Sequence, residues 1–323
     1  MCIQDDAIPT ISLRNSDSEE TVNRLRSACI EVGFFFLEDH GIEEELITDV
    51  FEQSKLFFSL SKPSKKALSN PALVRGYFTL DGKIAYGADA DGDTKEGFYV
   101  GRHFPADHPE YNVAKLKGSN VMPSPELTPD MDDCEKFRTV IETYHDKMCE
   151  LCFRLVQLLA LALGLPKGSF DKTFEDPMTA LSLLHYGDVK SVPEEGLFGA
   201  GEHTDGPVIT VLRTDGTPGL QVLLKTGQWI DVPHRSGAFV VNLGDMLERL
   251  SNGLFRSTPH RVVLQGGSER YSLPFFYEPG FDVPIVPLDT CCSEDNPPKF
   301  EPTTSGQYLH DKYFSKEGGV HSK

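Results

Sequence analysis

The stretch Gly199–Leu212, GAGEHTDGPVITVL, decides how the rest of the chain is read. It sets a histidine and an aspartate two residues apart, His203 and Asp205, just before an alternating apolar run. Residues i and i+2 of a strand project to one face. An imidazole and a carboxylate are therefore expected to point together into whatever that face lines. Taken alone, such a pair is more often a turn cap or a surface pair than a pair of ligands. Its meaning rests on partners further along the chain.

Two later segments supply them. FRSTPHRVV places His260 at the start of another β-type run, and RYSLPFF sets Arg270 and Ser272 at i and i+2. Two imidazoles and one carboxylate on one face of an octahedron leave three positions open, the donor set suited to non-haem Fe(II) that activates O2. An arginine fork can hold a carboxylate bidentately, and a serine hydroxyl adds a donor. That pair meets the far end of a dicarboxylate co-substrate. His260 alone reads as an ordinary hydrogen-bonded histidine and Arg270 alone as a structural ion pair. All four elements in order, on β-type segments, reverse that reading.

The surrounding texture agrees. From Ala180 onward the chain consists of short β-rich runs (ALSLLHYG, PVITVLRT, GLQVLL, QWIDVP, AFVVNLG, HRVVLQ and RYSLPFFYEP) punctuated by Gly, Pro and Asp. Runs at this spacing predict a sandwich, jelly roll or small barrel. Upstream, IPTISL reads as a strand. DSEETVNRLRSACIEVG reads as a capped helix with Val22, Leu25, Cys29 and Val32 on one face, and FFFLEDHGI as a strand and turn. A second amphipathic helix is expected over 43–60, and a long one over 137–163 that stops at Gly164. The acidic stretch 81–97, with Asp89, Asp91 and Asp93, imitates a calcium loop but lacks its glycine and distal glutamate. A surface loop or lid is the expectation there.

With 39% apolar and 25% charged residues, the chain has the composition of a globular protein rather than a disordered one. A net charge of −18 argues against nucleic acid or an anionic membrane as partner, while leaving the polarity of a buried pocket open. Seven cysteines form no regular framework, which predicts a reducing, cytoplasmic setting; Cys149 and Cys152 fall inside a helical pattern as packing residues. The acidic start carries no signal-peptide pattern, and the most apolar run, LVQLLALALGLP, is too short to span a bilayer.

At this point the chain resembles the 2-oxoglutarate/Fe(II)-dependent dioxygenases of the isopenicillin N synthase-like, plant-type class. The likeness runs through IPTISL, GFFFLEDHGI, FFSLSKPSKKAL, VRGYF, KEGFYVG, GEHTDGPVITVL, GAFVVNLGDMLERLSNGLFRSTPHRVV and RYSLPFFYEP. The resemblance implies a mainly β fold, a double-stranded β-helix (jelly roll) with helical support. It implies one catalytic unit over 1–323: a support region at 1–179, the core at 180–280 and a C-terminal segment at 281–323 near the pocket. It assigns His203, Asp205 and His260 as metal ligands, and Arg270, Ser272 and Tyr186 as the 2-oxoglutarate site. By position, Arg75, Tyr77, Phe98, Arg213 and Phe276 are substrate candidates, and Arg75 matches an arginine that binds a substrate carboxylate in the isopenicillin synthase branch. His40, Asn242, Gly244 and Asp245 read as turn-forming residues, and His185 is expected to point away from the site. The implied cofactors are Fe(2+), 2-oxoglutarate as co-substrate and O2, with ascorbate as a candidate reductant. The implied reaction oxidises an unactivated C–H bond of a small, carboxylate-bearing molecule by hydroxylation, desaturation or ring closure, with succinate and CO2 released. A monomer suffices. The alternatives are an Fe(II)/O2 oxidase that does not use 2-oxoglutarate and, more remotely, a jelly-roll binding protein without turnover.

Overall fold

The computed structural model describes residues 7–79 and 95–313. Most of the acidic stretch 81–97, including Asp89, Asp91 and Asp93, lies outside the described residues, as does Cys2. A strand, β1 (Thr10–Ser12), opens the described chain and runs parallel to β2 (Phe34–Glu38). Between them lies helix α1 (Glu19–Glu31), capped by Ser18, whose hydroxyl accepts the Thr21 N–H. It buries Leu25, Ala28 and Cys29, while Val22 stays half-buried and Val32 is its last cap. Gly33 follows at φ +70°, where an added Cβ would fall 2.2 Å from the Arg256 carbonyl oxygen. Only glycine allows the helix to turn straight into β2 at that spot.

Helix α2 (Glu44–Ser59) and helix α4 (Cys134–Ala162) match the expected long amphipathic segments, with the short α3 (Lys62–Ala67) between them. Asp133 caps α4 by accepting the Lys136 N–H, and both Cys149 and Cys152 sit within that helix, unpaired. These helices cover one face of a nine-stranded sheet. Its remaining strands are β3 (Ser69–Asn70), β4 (Arg75–Thr79), β5 (Lys95–Gly101), β6 (Met178–Tyr186), β8 (Ile209–Thr214), β11 (Phe239–Leu243) and β13 (Arg270–Glu278). The strand order is β1-β2-β11-β8-β13-β6-β5-β4-β3. A four-stranded sheet is built from β7 (Ala200–His203), β9 (Leu220–Leu223), β10 (Trp229–Asp231) and β12 (His260–Val262), in the order β10-β9-β12-β7. The two sheets form the jelly roll, and a cavity opens between them. All seven β runs read from the sequence are strands here.

The face of each central strand is set by alternation. In β2, Phe35 and Leu37 enter the core against the helices, while Phe34 and Phe36 turn to a second cluster with Val222 and Ile230 between the sheets. The described chain finishes with α5 (Asp245–Leu250), a short ribbon of β14 (Pro284–Ile285) and β15 (Thr303–Thr304), and α6 (Ser305–Tyr313), which packs Leu309 and Tyr313 onto the cavity. Among the described residues, no helix is long and apolar enough to cross a membrane.

On the helix-facing side of β4, β5 and β6 lies a polar knot. The Glu96 carboxylate accepts from Lys65 Nζ at 2.8 Å, from the Tyr77 hydroxyl at 2.7 Å and from His185 Nδ1 at 2.9 Å. His185 in turn stacks on Tyr271 with ring centroids 4.7 Å apart. Burial works against ionised Glu96, but hydrogen bonds from His185, Lys65 and Tyr77, and the Lys65 charge, outweigh it and hold the carboxyl down at about 2. A carboxyl whose folded value lies below its unfolded one stabilises the fold above the unfolded value, near 4.5, and loses that contribution as pH falls toward 2. Glu96→Gln is therefore expected to lower stability by about 2–3 kcal/mol at pH 7, with the gap to wild type closing between pH 5 and pH 2 in urea melts followed by circular dichroism. A gap that persists unchanged at pH 2 would sink this account.

Candidate metal and co-substrate centre

His203 is the last residue of β7 and His260 the first of β12, and the antiparallel register pairs them directly. Directly opposed residues share a face, which brings the two imidazoles to a centroid separation of 4.3 Å. Asp205 reaches the same point by a different route from the i, i+2 alternation expected of it. The strand stops at His203, so Asp205 sits in the turn leading to β8. That turn is stitched to the start of α5: Asp245 N–H donates to the Asp205 carbonyl at 2.8 Å and Met246 N–H to the Gly206 carbonyl at 3.2 Å. Gly244 packs so tightly there that a Cβ would fall 2.1 Å from the Pro207 carbonyl oxygen.

One oxygen of Asp205, Oδ1, lies 3.7 Å from His203 Nε2 and 3.6 Å from His260 Nε2. The other, Oδ2, accepts from the Thr210 hydroxyl at 2.5 Å and from Asn242 Nδ2 at 2.8 Å. Both imidazoles have Nδ1 against a backbone carbonyl, His203 on Gly201 at 2.8 Å and His260 on Thr258 at 3.1 Å. A carbonyl only accepts, so each Nδ1 carries the proton and each Nε2 presents a lone pair. Burial and the neighbouring His260 hold His203 neutral, well below its ordinary range. Burial opposes the charge on Asp205, but the two imidazoles and the donors Thr210 and Asn242 keep it ionised. The three ligand atoms lie within 4.8 Å of one another. Two neutral nitrogen donors and one anionic oxygen, converging on an open cavity, fit a divalent iron.

Strand β13 forms the long wall of that cavity. Its alternate residues Arg270, Ser272, Pro274, Phe276 and Glu278 all face inward. Arg270 is 1% exposed, lies over the Tyr186 ring with its guanidinium carbon 4.9 Å from the centroid, and pairs with Tyr186 across the β13–β6 ladder. Its Nε and Nη1 are buried without a hydrogen-bond acceptor among the described residues. A buried guanidinium with open donors is costly unless an anion completes it. The distal carboxylate of 2-oxoglutarate fits that demand. Ser272 faces the same space one inward step further along.

Of the substrate candidates, Arg75 and Phe276 line the cavity, whereas Tyr77, Phe98 and Arg213 do not. Tyr77 and Phe98 are cross-strand partners that face the helices, Tyr77 on Glu96 and Phe98 packed 4.5 Å from Phe57. Their sequence neighbours Phe78 and Tyr99 stack at 4.5 Å and line the cavity instead. Alternation gives the right period there but leaves the parity open. Arg213 opposes the core residue Leu273 and turns toward α2, where Glu44 Oε2 accepts from it at 2.6 Å. Arg75 Nη1 donates to the Val74 carbonyl at 3.0 Å, and its guanidinium rests on Gly101, where any Cβ would lie 2.0–2.6 Å from it. His185 faces the knot at Glu96, away from the cavity. His40 packs on Phe239 at 4.5 Å and accepts the Ile42 N–H, a turn role. Glu278, Leu309 and Tyr313 also line the cavity; alternation from Arg270 along RYSLPFFYE points to the first, and no local signal marks the other two.

Two family profiles match the chain. A non-haem dioxygenase N-terminal domain, described as one in morphine synthesis, covers residues 8–125, and the 2OG-Fe(II) oxygenase superfamily covers 178–279. Among curated relatives, the chain is 35% identical over 302 residues to the 2-oxoglutarate-Fe(II) type oxidoreductase hxnY of Emericella nidulans, covering 92% of this chain and 85% of that one. It is 36% identical over 290 residues to the 2-oxoglutarate-dependent dioxygenase citB of Monascus ruber, covering 88% and 86%. Among solved structures, a full-length Neurospora crassa protein in complex with alpha-KG and 5-formyluracil superposes with a TM-score of 0.81 at 29% identity, over 96% of this chain and 97% of that one. JOX2 in complex with 2OG, Fe and JA superposes with a TM-score of 0.76 at 31% identity, over 93% and 83%. The chain belongs to the 2OG-Fe(II) oxygenase superfamily, whose members work with Fe(II), 2-oxoglutarate and O2.

Proposed function

We propose that His203, Asp205 and His260 hold the Fe(II) of this oxygenase, that Arg270, Ser272 and Tyr186 hold its 2-oxoglutarate, and that the rest of the cavity binds a small carboxylate-bearing substrate. Bound together, Fe(II), 2-oxoglutarate and O2 supply the oxidising power that breaks an unactivated C–H bond, leaving succinate and CO2. The chain's own residues orient and exclude. Thr210 and Asn242 fix one Asp205 oxygen so that the other faces the histidines. The Gly201 and Thr258 carbonyls fix both imidazole tautomers. Phe78, Tyr99 and Phe276 give the chamber apolar walls that keep water from the reacting carbon.

The single observation that carries the co-substrate assignment is the pair of buried, acceptor-less nitrogens on Arg270. An oxidase that dispenses with 2-oxoglutarate would have to match them with another anion, such as a carboxylate of the substrate itself, and the titration below separates the two. A small acid as substrate is favoured by charge. In a chain of net −18, the cavity lining includes Arg75, Lys95, Arg102, Lys115, Lys117 and Arg270 against the carboxyls Asp176, Asp205 and Glu278. The Neurospora crassa complexes with thymine and 5-formyluracil, and JOX2 with JA, support small molecules as the substrate class. The oxidation is a hydroxylation, desaturation or ring closure. The six cysteines among the described residues are unpaired, which supports a reducing, cytoplasmic compartment.

Anaerobic titration of the Fe(II)-loaded protein with 2-oxoglutarate is expected to raise a saturable visible charge-transfer band. Arg270→Ala should abolish saturation in the same range while iron stays bound; an unchanged band would refute the assignment. Thr210→Val combined with Asn242→Ala is expected to weaken Fe(II) retention about 10–100-fold in a chelator competition, because the Asp205 carboxylate loses both of its anchors. Asp205→Ala should abolish turnover with the fold retained by circular dichroism.

A further inference from the structure

The inward side chains of β13 divide the cavity into two ends. Thr210, which anchors Asp205, is the cross-strand partner of Phe276, so the metal ligands sit nearest the level of Phe276. Three inward steps one way lead to Arg270; a single step the other way leads to Glu278. The co-substrate's donors thus lie on one side of the metal ligands, and Glu278 on the other. Glu278 is 8% exposed and lines the cavity, and no described residue donates a hydrogen bond to its carboxyl or pairs with it at ion-pair distance. The guanidinium of Arg75, seated on Gly101, is the charge that acts on it.

We propose that Glu278 is a specificity-determining residue which, together with Arg75, holds a carboxylate of the substrate, the Arg75 guanidinium supplying charge and the carboxyl of Glu278 donating its O–H. This deepens, and rests on, the reading of the cavity as the oxygenase's substrate chamber. The remaining charged or titratable groups lining the same cavity beyond the metal ligands are Lys95, Arg102, Lys115, Lys117 and Arg270 as cations, Asp176 as an anion that takes hydrogen bonds from Arg102 and Lys117, and the Tyr99, Tyr186 and Tyr313 phenols. Burial pushes the Glu278 carboxyl up to about 8, with Arg75 pulling the other way, so at neutral pH it carries the proton this role needs. An ionised Glu278 would instead repel the acid. A carboxylate placed between a guanidinium and a neutral carboxyl accepts from both, whereas an ester at the same place loses the charge attraction and crowds the O–H.

The test uses the full chain loaded anaerobically with Fe(II) and 2-oxoglutarate, titrated in a calorimeter with phenylacetate, hexanoate and their methyl esters. The expected result is that at least one acid binds at least tenfold more tightly than its ester. That affinity should fall about tenfold between pH 7 and pH 9, because Glu278 loses its proton near 8. Glu278→Gln, whose amide still donates, should keep the pH 7 affinity and lose the pH dependence. Glu278→Ala should weaken the acid at least tenfold while the 2-oxoglutarate charge-transfer band stays as in wild type. Acid and ester binding alike, no acid binding at all, or a pH slope that survives in Glu278→Gln would each overturn the subsite with the band intact. A missing band in the wild type would overturn the cofactor assignment beneath it.

Discussion

A one-residue slip of β13 against either neighbour would turn every inward side chain of the cavity wall outward. The strand is held on both edges, by Arg270↔Tyr186 through Glu278↔Met178 on β6 and by Ser272↔Thr214 through Tyr277↔Ile209 on β8. Side-chain period two makes this register all-or-none. The opposite face of the strand buries Tyr271, Leu273, Phe275 and Tyr277 against the helices. Slippage would expose these four and drive Arg270 and Glu278 into an apolar core, a penalty far above the worth of any single contact at the site. The placement of Arg270 is thus a by-product of core packing rather than of local interactions around the guanidinium.

The candidate metal ligands His203, Asp205 and His260 obey a similar logic at shorter range. Direct pairing of β7 with β12 fixes the histidines, while Asp205 depends on a turn anchored to α5. A buried carboxylate between two imidazoles is unfavourable without donors, and Thr210 and Asn242, from β8 and β11, provide them. Four strands and one helix therefore converge on three ligand atoms. α6 closes the arrangement from outside: Tyr313 accepts the Gly206 N–H, and Lys312 reaches Thr204 and Asp245.

Much of this was legible in the sequence, and the failures have physical causes. The seven β runs, the long helices and the four polar landmarks of the core were readable because each carries a strong local period or an unusual residue type in an apolar setting. Tyr77 and Phe98 misled because GYF and GFY hold two adjacent aromatics, and both parities look equally apolar when a strand is covered on both faces. Register is a property of the pair, and no single strand states it. Arg213 misled for the same reason, since a buried arginine can face either side of β8 if a partner such as Glu44 awaits it. Leu309 and Tyr313 were invisible because their role depends on where α6 docks, across long sequence separations.

The polar knot around Glu96 and the cavity share the same strands but opposite faces. Lys65, Tyr77, Glu96, His185 and Tyr271 tie β4, β5, β6 and β13 to α3 on one side, while Arg75, Phe78, Tyr99 and Phe276 line the chamber on the other. Along β5, β6 and β13 scaffold and chamber residues therefore alternate, whereas on β4 the left-handed Gly76, at φ +75°, lies between Arg75 on the chamber side and Tyr77 on the scaffold side. Substitutions at chamber positions alter what the protein grips without loosening what holds it up. A fold arranged this way can change substrates by many small, independent steps, each tolerated because the neighbouring residue along the strand belongs to a different task.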